Sequence, residues 1–221
     1  IDVRSSNNFL RKVFLYMILG IAISFGTGAY LLYFNQGLLI RLFDYYQFLV
    51  IAELVMVFSI SFLINKISAN FARILFLAYS LVNGITLTTI GIIYAPQVVF
   101  YAFMTTLTIF VVTAIYGYTT QEDLSSYRRF FTIALISLIV LSIFNVFMRV
   151  GMLEWVITIA GVVIFTGLIA YDVNRIKAMS YQLADGDNEV MEKMGIIEAL
   201  ELYLDFIYLF LYLLRIFGRK K

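Results

Sequence analysis

Apolar residues run along this chain in seven long blocks separated by short polar ones, each approaching the roughly 20 residues a helix needs to cross a bilayer core. The blocks fall at about 13–34, 48–64, 74–94, 98–118, 130–148, 155–173 and 195–217. This pattern predicts an all-α, polytopic membrane protein, with seven transmembrane helices forming a single domain over residues 1–221. In the first block Gly20, Gly26 and Gly28 allow a neighbouring helix to approach closely. Ala95-Pro96-Gln97 separates the third block from the fourth, which reads as a tight turn between antiparallel helices. Trp155 opens the sixth block as an interfacial anchor. The first block is long enough to span, and no convincing small-residue cleavage site follows it, so it is read as a helix rather than a signal peptide.

Composition agrees with a membrane protein. Hydrophobic residues make up 62% of the 221 and charged residues 14%, where a soluble domain carries about 25% charged. Of the Lys and Arg residues, Arg4, Arg11, Lys12, Lys66, Arg73, Arg128, Arg129, Arg175, Lys177 and Lys193 fall on one side of the predicted spans. Only Arg41 and Arg149 fall on the other. The positive-inside rule therefore places the N-terminus in the cytoplasm of a multi-pass cell-membrane protein. The C-terminal Arg215, Arg219, Lys220 and Lys221 conflict with seven crossings, so the last helix either crosses against the rule or enters and returns. The net charge of +2 is spread over loops, which offers nothing to nucleic acid.

The zeros narrow the chemistry. There is no Cys and no His, so thiol nucleophiles, disulfides, imidazole bases and His- or Cys-ligated metals are excluded. Proton or cation chemistry must use carboxylates. One buried in a spanning helix costs at least about 2.5–3.5 kcal/mol and normally faces a protein interior or a water path. On an ideal helix Glu198, Glu201 and Asp205 share one narrow stripe of the seventh span, continued by Tyr208 and Tyr212. Glu198 and Glu201 also have a plain reading as interfacial groups snorkelling to water, but Asp205 is too deep for it. Asp172 ends the sixth span and can pair with Arg175 at i+3. Glu53 interrupts the second span, with Lys66, Arg73, Asn83 and Asn145 as available partners. Asp185-Gly186-Asp187-Asn188-Glu189 looks like part of a calcium loop but lacks the glutamate at the loop's twelfth position, and it is read as a solvated turn.

Asn83-Gly84-Ile85-Thr86-Leu87, Tyr171-Asp172-Val173-Asn174-Arg175-Ile176-Lys177 and Leu202-Tyr203-Leu204-Asp205-Phe206-Ile207-Tyr208-Leu209-Phe210, continued by Leu211-Tyr212-Leu213-Leu214-Arg215, resemble the transmembrane Bax inhibitor motif family. The resemblance covers nearly the whole chain, whose short length is similar to that of prokaryotic members. It implies a seven-helix fold with the last helix central, and the activity of a pH-sensitive calcium leak channel rather than an enzyme. In such channels an aspartate pair between helices six and seven senses pH; the matching residues are Asp172 and Asp205. Glu53 matches a carboxylate of the conductive path, and Glu201 on the Asp205 stripe extends that path. A basic residue after the second helix latches the sixth-helix aspartate, and Lys66 and Arg175 are the candidates here. A lysine lacks the bidentate geometry of arginine, which makes such a latch weaker.

Two nearby carboxylates share a proton, so Asp172 and Asp205 form a pH sensor without histidine. In the mechanism this suggests, the shared proton holds helices six and seven together, and its loss at higher pH leaves two repelling charges that open the path. Calcium is then a permeant ion weakly held by Asp172 and Asp205, since a tight site needs six to eight oxygens. No cofactor is called for. The partners are the lipid bilayer, calcium and protons, with oligomeric state open and a monomer compatible.

Two other classes fit parts of the pattern. Carboxylates alone do not separate a leak from a proton-coupled cation transporter. Intramembrane aspartyl proteases also carry Tyr-Asp on a sixth helix, as in Tyr171-Asp172, but their Gly-x-Gly-Asp motif is replaced here by Leu202-Tyr203-Leu204-Asp205. Their Pro-Ala-Leu segment is impossible after it, because Pro96 is the sole proline.

Overall fold

The computed structural model describes residues 3–182 and 188–218, and all its regular elements are helical. In chain order they are α1 (Val3–Phe34), α2 (Gln36–Phe43), α3 (Tyr46–Leu63), α4 (Ala69–Gly91), α5 (Pro96–Thr119), a short 3-10 turn (Leu124–Tyr127), α6 (Arg128–Met148), α7 (Gly151–Gln182) and α8 (Asn188–Gly218). Residues 185–187 of the proposed solvated turn lie outside the described residues. Asn188 and Glu189, assigned to that turn from sequence, instead open α8.

Six helices are long and apolar enough to cross a membrane: α1 from Asn7, α3, α4, α5, α6 with the turn before it, and α7. The seventh expected span falls within α8, which has 31 residues but is not among the six. Every eighteen-residue stretch through its apolar part holds at least three charged residues, drawn chiefly from Glu198, Glu201, Asp205 and Arg215. Such a helix is suited to a protein interior rather than to lipid. Accordingly Leu202, Tyr203, Phe206 and Leu209 are wholly buried. The lipid-type helices show the reverse, with Phe48, Phe62, Phe130 and Phe147 exposed.

Helix ends follow local chemistry. Asn35 caps α2 by accepting a hydrogen bond from Leu38 N at 3.2 Å, and Ser68 caps α4 by accepting one from Phe71 N at 3.3 Å. Pro96 begins α5, where its missing N–H is not needed. Arg149 closes α6 in the left-handed region at φ 51°, with its N–H donating to Asn145 O at 2.8 Å. Asn145 thus serves its own helix end, its side chain also accepting from Val150 N at 3.1 Å.

The chain divides into two compact units. One holds the described residues of 1–95 and 179–203, the other those of 96–178 and 204–221, so α7 and α8 contribute to both.

In the first unit α1 packs along α4, and α3 and α2 pack on α4. Small residues set the α1–α4 distance. A Cβ on Gly84 would sit 2.6 Å from Ser24 O, so the two backbones touch. Gly20 lies under Phe76 and Tyr203, and Gly28 lies against Thr88. Gly26, grouped with them from sequence, has nothing within 4 Å of its Cβ direction. Leu31, Leu39 and Ile85 form the small core that fastens α2.

In the second unit the backbones of α5 and α7 meet where Gly117 lies against Ala170. Aromatic rings fill the rest: Phe103 and Phe110 meet Phe206 edge-on, and Phe165 stacks on Tyr208 at 5.2 Å. Asn174 ties α7 to the end of α5 and the segment after it, accepting from Leu124 N at 3.3 Å and donating to Gly117 O at 3.2 Å. Lys177 donates to Tyr118 O at 2.7 Å, capping the carbonyl end of α5.

Candidate functional site

The second unit holds the two aspartates of the expected pair. Asp172 lies on α7 and Asp205 on α8, with 5% and 6% of their surfaces exposed. At that depth an ionised carboxylate requires polar or charged partners. For Asp172 one is Arg175, one helical turn on, with Nη1 at 3.4 Å from Oδ1. The Arg175 guanidinium also lies 5.7 Å from the centre of the Tyr171 ring, which fixes its direction. Of the two latch candidates, Arg175 is therefore on Asp172, whereas Lys66 sits exposed in the turn between α3 and α4.

The first unit holds the other carboxylates. Glu53 of α3 is half-buried and accepts from Thr86 Oγ1 at 2.5 Å and from Asn83 Nδ2 at 3.3 Å, both on α4. Asn83 was among the partners expected from sequence; Thr86, three residues further along the same face of α4, was not. The network continues inward. Tyr203 Oη donates to Asn83 Oδ1 at 2.8 Å, and Ser24 Oγ lies 2.6 Å from Tyr203 Oη and 2.6 Å from Ser80 O. Tyr203 is wholly buried, and Phe76 and Tyr79 meet its ring edge-on. Because the Asn83 carbonyl oxygen is engaged by Tyr203, its amide nitrogen is the atom turned to Glu53. Glu201 is half-buried on α8, and Glu198 is 4% exposed, too deep for the snorkelling reading of that residue.

A further carboxylate escaped the sequence reading. Glu192, in the second turn of α8, receives Arg73 Nη2 from α4 and Tyr16 Oη from α1 at 2.7 Å, both on Oε1. Lys12 Nζ of α1 lies 3.4 Å from its Oε2. Arg73, expected as a partner for Glu53, is thus committed to Glu192. The signal was weak, because these partners are 119 to 180 residues away in sequence.

Burial by itself raises the Glu192 carboxyl pKa, but hydrogen bonds from Tyr16 and Arg73 and the charge of Lys12 outweigh it and hold the group below its ordinary value. A carboxylate held low in the folded state stabilises the fold above its unfolded pKa of about 4.3. That contribution disappears as pH falls through the lowered value. Glu192→Gln is expected to cost about 1–2 kcal/mol at neutral pH. It should also flatten the loss of thermal stability between roughly pH 5 and 3. Melting curves in detergent across that range check this, and an unchanged acid limb in the variant would remove Glu192 from the account.

Among the described residues no three Asp or Glu side chains converge as a metal-holding group.

Comparison with known proteins bears on this arrangement. The family model for the inhibitor of apoptosis-promoting Bax1 matches residues 6–221. The chain belongs to the Bax inhibitor family. It is 40% identical over 223 residues to an uncharacterized protein of Borreliella burgdorferi, covering all of this chain and 95% of that protein. It is 40% identical over 173 residues to the inner membrane protein YbhL of Escherichia coli K12, covering 78% of this chain and 74% of YbhL. An uncharacterized membrane protein of Streptococcus pyogenes serotype M1 is 38% identical over 218 residues, with 97% and 93% covered. The Escherichia coli and Streptococcus pyogenes relatives are thus named as membrane proteins, in keeping with six apolar helices.

Proposed function

We propose that this protein is a pH-sensitive calcium leak channel of the cell membrane, with Asp172 and Asp205 as the proton-sharing pair and Glu53, Glu201 and Asp205 along the ion path. The observation that carries this reading is the deep burial of Asp172 and Asp205 on two helices of one compact unit, in a chain with no histidine. Burying carboxylates in spanning helices is costly, and a structural role alone is met more cheaply by apolar side chains.

In the closed state a proton shared by the pair holds α7 to α8. Loss of that proton leaves two like charges, which favour separation and attract a divalent cation. Arg175 competes with the shared proton for Asp172 and so sets how readily the pair gives it up. Glu53, fixed by Thr86 and Asn83, offers calcium a second carboxylate.

Calcium entry into proteoliposomes over a series of pH values tests the reading. The leak is expected to run down the calcium gradient at a rate set by pH. Calcium accumulation against its own gradient, driven by an imposed proton gradient at fixed pH on the calcium side, would instead establish a proton-coupled transporter.

A further inference from the structure

We infer that the groove between the start of α1 and the start of α8 is a binding site for the phosphate headgroup of an anionic glycerophospholipid. The groove encloses 360 Å³ and lies wholly within the first unit. Its α1 wall is Asn8, Phe9, Arg11, Lys12 and Leu15, of which Asn8, Arg11, Lys12 and Leu15 have the i, i+3, i+4, i+7 spacing of one helix face. Its α8 wall is Asn188 and Met191, also three apart.

The order of these groups along α1 matches the order of groups in a lipid. The amide of Asn8 comes first, the two cations next, and the apolar Leu15 last, a length of about 10 Å at 1.5 Å per residue. Arg11 and Lys12 stand just before the first uncharged apolar block, which starts at about residue 13, and Leu15 lies just inside it and is 53% exposed. The cations thus stand at headgroup level and the leucine at the first acyl methylenes.

The charges near the groove leave a net attraction for an anion. Glu189 is paired with Lys193 at 3.0 Å. Glu192 is engaged by Arg73 and Tyr16 as well as by Lys12. The Lys12 contact, at 3.4 Å, is the longest of the three, so Lys12 can turn to a phosphate while Glu192 keeps two partners. Arg11 is exposed and forms no ion pair among the described residues; its planar guanidinium suits bidentate contact with a phosphate. Basic pockets beside spanning helices take anionic headgroups on these terms.

Arg128 and Arg129 supply a control. They line a second basic groove, but all its lining residues come from one continuous stretch, Ser125 to Ile133. No second helix closes it.

The full chain in nanodiscs of phosphatidylcholine, with phosphatidylglycerol added stepwise, tests the site by lipid retention in native mass spectrometry and by thermal stabilisation relative to pure phosphatidylcholine. The doubly substituted R11Q/K12Q protein is expected to retain phosphatidylglycerol about tenfold less well, while R128Q/R129Q keeps wild-type retention. Equal loss in both double variants would reduce the effect to general membrane charge and overturn the site. Equal stabilisation by glycerol phosphate or inorganic phosphate in phosphatidylcholine discs would make it a site for soluble phosphate and overturn the lipid assignment. Single R11Q, which leaves the Lys12–Glu192 contact in place, separates lost binding from a weakened fold: it should lower retention with an unchanged melting temperature in phosphatidylcholine.

Discussion

Calcium entry through the Asp205→Asn protein is expected to lose its dependence on pH, with the rate held flat where wild-type flux changes. A one-proton step alters the open population by at most about tenfold per pH unit, so the wild-type slope itself counts the protons involved. Asn keeps the size of Asp at a site only 6% exposed but cannot titrate. Asp172→Asn should flatten the same profile. It also removes the 3.4 Å ion pair with Arg175, so Arg175→Gln is the needed companion. If Arg175→Gln merely shifts the profile along the pH axis while both aspartate variants are flat, the pair is the sensor and the arginine tunes it. Wild-type pH profiles in both aspartate variants would dismiss the pair.

Gly84→Ala is expected to destabilise the protein by about 3 kcal/mol, at the upper end for overpacking by one methyl. The new Cβ would lie 2.6 Å from Ser24 O and 2.9 Å from Ser24 Cα. Both are backbone atoms, so no side chain can turn aside and α1 must move off α4. Gly26→Ala is the matched control, since nothing lies within 4 Å of its Cβ direction. There the better helix propensity of Ala should raise stability by at most about 1 kcal/mol. Thermal unfolding of both variants in one detergent gives the comparison. Equal effects would mean that α1 and α4 do not touch at Gly84.

How much of this was legible in the sequence depended on the range of each interaction. Hydrophobic blocks report on lipid contact residue by residue, so the block at 98–118 emerges close to α5, while the block at 13–34 gives the end of α1 but not its start at Val3. Blocks under-read helices that continue beyond the lipid: α7 runs on to Gln182, well past 173, because its last turns are polar yet still helical. α2 was missed altogether, although Asn35 ahead of it is a good N-cap residue; eight residues are too few for a periodic signal. Asp172 and Asp205 stood out because a carboxylate in an apolar block is conspicuous by itself. Glu192 did not, lying in a polar stretch where a carboxylate is ordinary. Its meaning rests on Lys12, Tyr16 and Arg73 being folded onto it. Gly84 was seen as part of a motif, but its contact with Ser24 is a property of two helices and is written in neither alone.

The buried chain from Ser80 O through Ser24 and Tyr203 to Asn83 contains three oxygen-to-oxygen contacts of 2.6, 2.6 and 2.8 Å, yet its two hydroxyl groups bring only two protons. One contact is therefore always without a proton of its own, and the chain has more than one way to leave it empty. With Ser24 donating to Ser80 O and Tyr203 to Asn83, both carbonyl oxygens have a donor and the Ser24–Tyr203 contact is the empty one. With Tyr203 donating to Ser24 instead, that contact is filled and Asn83 loses its donor. Rotating the Tyr203 hydroxyl exchanges these patterns with no helix displaced. An ionised Glu53 favours the first. The hydroxyl of Tyr203 on α8 thus takes its direction from Asn83, the amide that also holds the Glu53 carboxylate of α3.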